Sequence, residues 1–184
     1  MTGPTILDAM GGTPLVRLSR MATRGCADIY LKLEYLLPGG SMKDRVARQI
    51  IADAEASGAL QPGGTVVELT SGNTGTGLAI VCRAHGYRMV GVMSEGNSVE
   101  RRRMMLALGA DVEIVPQAGG SDPGKVSKED LELVDSRARE LTRELGAFRA
   151  DQFNNPSNPR AHELGTGPEI LGQRGRPVGA FVAA

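Results

Sequence analysis

Lys43 is the residue of this chain best placed for covalent chemistry, at the end of the run Pro38-Gly39-Gly40-Ser41-Met42-Lys43 and followed by Asp44-Arg45. A glycine-rich turn delivers it to the mouth of a helix predicted from about Lys43 to Ala56, since Val46, Ile50, Ile51 and Ala54 recur on one face. The positive end of the helix dipole disfavours a second positive charge there and so favours the neutral amine, the form that attacks a carbonyl. The competing interpretation is a solvated lysine in an ordinary first turn. The run is not a nucleotide loop. A P-loop needs glycine directly before its lysine and Ser or Thr directly after it, and Met42 and Asp44 occupy those places.

A second glycine-rich turn follows the apolar run Val66-Val67-Glu68-Leu69, which has strand character. It reads Thr70-Ser71-Gly72-Asn73-Thr74-Gly75 and leads into a helical stretch ending at His85. Strand, tight polar turn and helix aim backbone N–H groups and the positive helix end at an anion. Thr70, Ser71, Asn73 and Thr74 add neutral hydrogen-bonding side chains, which suit a carboxylate or phenolate oxygen better than a metal. The glycines at 72, 75 and 77 do not make the G-x-G-x-x-G of dinucleotide binders, and an ordinary cap joining strand to helix remains the alternative.

These two turns need a frame, and the periodicity supplies one. It predicts helix 43–57, strand 65–69, helix 74–85, strand 88–93, helix 98–108 and strand 111–115. Such alternation implies an α/β fold whose mostly parallel sheet carries helices on both faces. Gly11-Gly12-Thr13-Pro14-Leu15-Val16 reads as a turn entering an extended segment, and residues 29–34 alternate as a strand. Ser127 and Asp130 form a capping-box pattern ahead of an apolar stripe at Leu131, Val134, Ala138, Leu141 and Leu145. Residues 117–125 read as a surface loop and Arg160 to Leu171 as a helix. Val178 to Ala184 reads as a buried parallel strand, and a domain seldom ends on one, so the chain is expected to be incomplete after Ala184.

Composition removes several function classes. At 184 residues, 41% hydrophobic and 23% charged, the chain is of the ordinary globular type and can bury a core. Its 21 basic and 21 acidic side chains cancel, which leaves no electrostatic case for nucleic acid or an anionic membrane as partner. No apolar run approaches the roughly 18 residues of a membrane helix, and Met1 to Ala9 lacks the form of a signal peptide, so the expected location is cytoplasmic. Cys26 and Cys82 make no disulfide framework, and no metal-ligand spacing is visible; Cys82 reads as a small core residue. His85, before Gly86, suits a helix C-terminus, and His162 stands alone in a helical stretch.

Five motifs in order now carry a resemblance: Gly-Thr-Pro-Leu at 12–15, Gly-Gly-Ser-Met-Lys-Asp-Arg at 39–45, Thr-Ser-Gly-Asn-Thr-Gly at 70–75, Asp-Gln-Phe-Asn-Asn-Pro at 151–156 and Thr-Gly-Pro-Glu-Ile at 166–170. Ser98-Val99-Glu100-Arg101 and Leu108-Gly109-Ala110-Asp111 fall between them. The chain resembles the fold-type-II enzymes that use pyridoxal 5′-phosphate, of tryptophan synthase β-like architecture, and most of all the cysteine synthase and cystathionine β-synthase family. The resemblance implies that Lys43 bonds covalently to the cofactor aldehyde and later carries the substrate's α-proton. It implies that Asn73 hydrogen-bonds the cofactor's 3′-oxygen. Thr70, Ser71, Gly72 and Thr74, with Gln152, would hold the amino-acid carboxylate, and the 70–75 loop would close over it.

The implied activity is β-replacement on an O-acetylserine-type substrate with sulfide, giving cysteine; cystathionine β-synthase and diaminopropionate synthase activities, or an inactive fragment, are the alternatives. A homodimer is the implied assembly. Residues 1–44 would begin a large domain, 45–146 would form a small α/β domain, and 147–184 would resume the large domain, left incomplete without the phosphate-binding loop expected after 178–183. Leu37 departs from the family pattern, which usually has a polar residue there, and the Gly119 to Lys128 loop is longer than usual.

Overall fold

The computed structural model describes residues 3–20, 25–119 and 124–183. The middle of the expected 117–125 loop and the last residue of the expected final strand lie outside the described residues.

Two short strands, β1 (Leu15–Arg17) and β2 (Tyr30–Lys32), pair antiparallel with Val16 opposite Leu31. Helix α1 (Lys43–Ala56) follows and buries Val46, Ala47, Ile50, Ile51 and Ala54, the face that the apolar spacing marks out. Then come β3 (Thr65–Leu69), α2 (Asn73–His85), β4 (Arg88–Ser94), α3 (Val99–Ala107), β5 (Asp111–Val115) and α4 (Lys128–Glu144). A two-residue strand, β6 (Phe148–Arg149), completes a four-stranded, wholly parallel sheet in the order β5-β4-β3-β6.

The pleat of β3 and β4 divides the core. Val66, Met89 and Met93 join α1, α2 and Met105 of α3 on one side of the sheet. Val67, Leu69, Val90 and Val92 meet Val134, Ala138 and Leu141 of α4 on the other. A parallel sheet needs both faces covered, because its strands are apolar on both. Each fully buried valine or leucine contributes about 1.5–3 kcal/mol relative to exposure. The expected stripe on α4 is therefore real at its centre, while Leu131 and Leu145 at its ends stay 40% and 38% exposed. Ser127 and Asp130 close the expected capping box. Gly86 ends α2 at φ 81°, its N–H bonded to the Cys82 carbonyl.

One expectation is refined and one fails. The helix expected from Arg160 to Leu171 forms, within a longer helical run made of α5 (Ser157–Ala161), a π turn at His162–Thr166, and α6 (Gly167–Arg174). Pro168 has no N–H to give to the carbonyl four residues back, and its ring crowds that carbonyl. The chain widens instead, with the Gly167 N–H reaching the His162 carbonyl. The buried strand expected at 178–183 does not form: the segment pairs with neither sheet, and Phe181 and Val182 are 70% and 89% exposed. Apolar composition favours a strand only where a neighbour offers a row of backbone partners, and this segment pairs with no strand among the described residues.

A buried ion cluster ties the chain's flanks to α1. Arg45, with its side chain 4% exposed, donates from Nε to Glu34 at 2.7 Å and from Nη1 to Glu169 at 2.6 Å. Its Nη2 reaches the Thr13 hydroxyl at 3.1 Å. Lys32 Nζ binds Glu169 and the Thr13 carbonyl, each at 2.6 Å. Arg45 above all, then Lys32 and the Gly12 N–H, hold the Glu169 carboxyl down at about 2. No helix among the described residues is long and apolar enough to cross a membrane.

Candidate active site

Lys43 opens α1 as the sequence predicts, and the turn before it is held by its neighbour. The Gly39 N–H donates to Asp44 Oδ2 at 2.5 Å, and the Gly40 N–H to the Leu37 carbonyl at 2.8 Å. Asp44 is fully buried, so a β-carbon on Gly39 would stand 2.3 Å from Asp44 Oδ1. Among the described residues that oxygen has no hydrogen-bond partner. Burial raises the Asp44 pKa, against the Gly39 N–H, which lowers it. Leu37, where the family pattern has a polar residue, is buried and 3% exposed. Lys43 itself is half-buried, its backbone N–H 3.3 Å from Ser41 Oγ.

The second turn lies alongside. A β-carbon on Gly77 would stand 3.0 Å from the Lys43 carbonyl oxygen, so the start of α1 touches α2 one helical turn beyond Asn73. Where β3 ends, Thr70 turns its hydroxyl oxygen inward to accept the N–H groups of Gly72 and Gly75, both at 3.0 Å. Gly72 has φ 141° and Arg101 packed against it; Arg101 Nη1 donates to the Ser71 carbonyl at 2.9 Å. Gly75 is required by space. Its β-carbon would stand 2.3 Å from Met105 Sδ and 2.6 Å from Thr70 Cγ2.

Gln152 arrives from the loop after β6. Its Nε2 donates to the Leu69 carbonyl at 3.2 Å, and its Oε1 accepts a short hydrogen bond from the Thr74 hydroxyl. Thr70, Gly72, Thr74 and Gln152 thus form one buried cluster. Ser71 and Asn73 sit on the same turn but are exposed, and their side chains make no hydrogen bond to the described residues. A lysine at the start of one helix, packed by its backbone against a second helix that begins in a neutral polar turn, can bond a carbonyl carbon while that turn and helix end hold an anion.

Three participants are invisible in the sequence. Arg101 braces the turn from α3, and Asp44 closes the lysine turn. The π turn brings His162 close to Lys43, with His162 Nδ1 3.0 Å from Thr166 Oγ1. Burial first, then the positive charges of Lys43 and Arg45, lower the His162 pKa. His162, Met42, Tyr30 and Phe181 line an apolar cavity of about 780 Å³. His85 stands in the last turn of α2, as expected, and its Nδ1 also meets Glu55 at 2.9 Å. No His, Cys, Asp or Glu cluster among the described residues could hold a metal.

Residues 6–184 match the family described as pyridoxal-phosphate dependent enzyme. The chain is 46% identical over 179 residues to a cysteine synthase of Staphylococcus aureus, covering 97% of this chain and 54% of that one. It is 47% identical over 167 residues to an O-ureido-L-serine synthase of Streptomyces lavendulae, covering 91% and 48%. Among solved structures, an O-ureido-L-serine synthase superposes with a TM-score of 0.83 at 44% identity, covering 97% and 53%. A hydrogen sulfide-producing enzyme of Fusobacterium nucleatum superposes at 0.84 with 34% identity, covering 96% and 56%. The chain spans about half the length of the curated relatives it matches.

Proposed function

We propose, since this chain belongs to the pyridoxal-phosphate dependent enzymes, that it carries the lysine and carboxylate-binding half of a β-replacement site acting on an O-activated serine such as O-acetylserine, with sulfide as nucleophile and cysteine as product. The observation that carries this reading is the packing of Lys43, at the start of α1, against α2 one turn from the Thr70–Gln152 cluster. The residues fit the cofactor. Lys43 offers an amine for its aldehyde, and Asn73 offers a side-chain amide that no described residue engages for its ring oxygen. When bound, pyridoxal phosphate supplies a sink for the electrons left on the substrate's Cα.

The chain's own residues do the rest. Thr70, Ser71, Gly72 and Thr74, with Gln152, would orient the substrate carboxylate at the positive end of α2. That fixes the Cα–H bond relative to Lys43, whose amine would take and return the proton. The buried bonds within the cluster make this orientation cheap in entropy, because Thr74 and Gln152 are ordered before substrate arrives. A homodimer is the assembly in keeping with this reading.

A second reading keeps the first half-reaction and exchanges sulfide for an oxygen nucleophile, supported by the relative named for O-ureido-L-serine. Titration of the 184-residue chain with pyridoxal phosphate, followed by borohydride reduction and peptide mapping, tests the common core. Stoichiometric label on Lys43, absent from Lys43→Ala, is expected; label scattered over surface lysines would remove the assignment. Product analysis with sulfide and with oxygen nucleophiles separates the two readings.

A further inference from the structure

The carboxylate-binding turn is held from outside by a residue that the proposed function does not use. Arg101, an exposed residue of α3, donates from Nη1 to the Ser71 carbonyl at 2.9 Å. The N–H of the same peptide unit, on Gly72, donates to Thr70 Oγ1 at 3.0 Å. The C=O and N–H of a trans peptide point opposite ways. One peptide plane is therefore gripped at both edges, by Arg101 from α3 and by Thr70 at the end of β3.

The neighbouring groups show why that grip matters. Gly72 has φ 141° and ψ −64°, a conformation open to glycine and rare for other residues, so local sterics do little to fix this peptide. The Arg101 stem lies against it: a β-carbon on Gly72 would stand 2.4 Å from Arg101 Cδ and 2.9 Å from Cγ. The Gly72 carbonyl is taken by the Thr76 N–H at 2.8 Å and the Thr76 hydroxyl at 2.9 Å. The Leu69 carbonyl goes to Gln152. Among the described residues, the N–H groups of Ser71, Asn73 and Thr74 meet no acceptor. Three carbonyls are thus tied while donors stay open, the polarity that an anion needs.

We propose that Arg101 is a positioning residue for the substrate carboxylate: by holding the Ser71 carbonyl away from Thr70, it keeps the Ser71–Gly72 peptide from reversing. Its role rests on the carboxylate-binding reading of this turn. A reversed peptide would carry its carbonyl oxygen to the Thr70 side and set partial negative charge inside the turn that is to receive an anion. It would also withdraw one of the two N–H groups that Thr70 accepts. Methionine at 101 keeps an unbranched stem against Gly72 but has no donor, whereas lysine keeps both the charge and a donor.

Amide hydrogen exchange, read by NMR on the whole 184-residue chain, tests this. The wild-type Gly72 and Gly75 amides, both bonded to Thr70, should be protected relative to Ser71; an unprotected Gly72 overturns the proposal without any variant. In Arg101→Met, exchange at Gly72 should quicken by about tenfold while Gly75 and the interior amides of α3 keep their rates. Arg101→Lys should restore part of the protection. Unchanged exchange at Gly72 overturns the proposal, and so does a rise shared by Gly75 and all of α3, which would make Arg101 a packing residue only. Titration with O-acetylserine tests the site separately. The Ser71, Asn73 and Thr74 amides should shift in the wild type, with half-saturation raised about tenfold in Arg101→Met. Equal half-saturation in the two proteins overturns the proposal. A wild type that does not respond, with Gly72 exchange still governed by Arg101, would leave the held peptide and remove the carboxylate reading.

Discussion

The turn ahead of α1 is closed by a carboxylate and the turn ahead of α2 by a hydroxyl: Asp44 takes the Gly39 N–H, whereas Thr70 takes those of Gly72 and Gly75. Each has a buried carboxyl with one oxygen unpartnered among the described residues, Asp44 Oδ1 in the first and Glu68 Oε2 behind the second. The difference lies in distance from the helix mouth. A carboxylate within the second turn would compete with an incoming anion for the positive end of α2, and a hydroxyl does not. The first turn presents an amine, so an acid beside it opposes nothing.

The sharpest break of this comparison is steric. Alanine at Gly39 or Gly75 would place a methyl 2.3 Å from Asp44 Oδ1 or Met105 Sδ, in surroundings too well packed to yield. Each should cost about 2–3 kcal/mol by urea unfolding. A neutral Gly39→Ala would show that Asp44 does not grip the first turn.

Next comes the pH dependence of the hidden carboxyls. The Glu68 carboxyl rises from 4.5 to about 7 on folding, so between those values the folded protein binds more protons than the unfolded chain. Stability should then fall as pH climbs through that window, by up to about 3 kcal/mol, and level off above it. Glu68→Gln should flatten the slope, and denaturation series at pH 5 and pH 8 measure it. Asp44 is raised too and adds a slope of the same sign.

Smaller effects sharpen the contrast. Thr70→Val strips the acceptor from two N–H groups and should cost about 1–3 kcal/mol, while Thr70→Ser keeps it and should cost less than half as much. Gly40→Ala meets open space but a φ of 76°, and should cost only about 1 kcal/mol. Thermal melts of the three variants rank them.

The sequence made α1, β3, α2 and the α4 cap legible because each rests on local spacing: an apolar face, a strand-length run, a serine three residues before an acid. It misled wherever a neighbour decides. β6 is two residues long and exists because β3 offers it an edge, and 178–183 is apolar enough for a strand but pairs with no edge among the described residues. In the site, residue types pointed to four hydroxyl and amide groups facing a ligand. The fold spends the Thr70 oxygen on its own backbone and the Thr74 proton on Gln152, so only Ser71 and Asn73 remain wholly uncommitted. Gln152 was readable only through resemblance, because nothing local signals a contact with a residue 78 positions earlier.

Arg45, two residues past the candidate nucleophile, is the cation on which both Glu34 and Glu169 converge. Losing it would turn attraction into repulsion between two acids, with Lys32 alone left to separate them. The hairpin and the last helix would then peel from α1 as one unit while the parallel layer stayed closed. Backbone deuteration sweeping through residues 11–18 and 157–174 ahead of β3 and β4 would be the trace of that detachment.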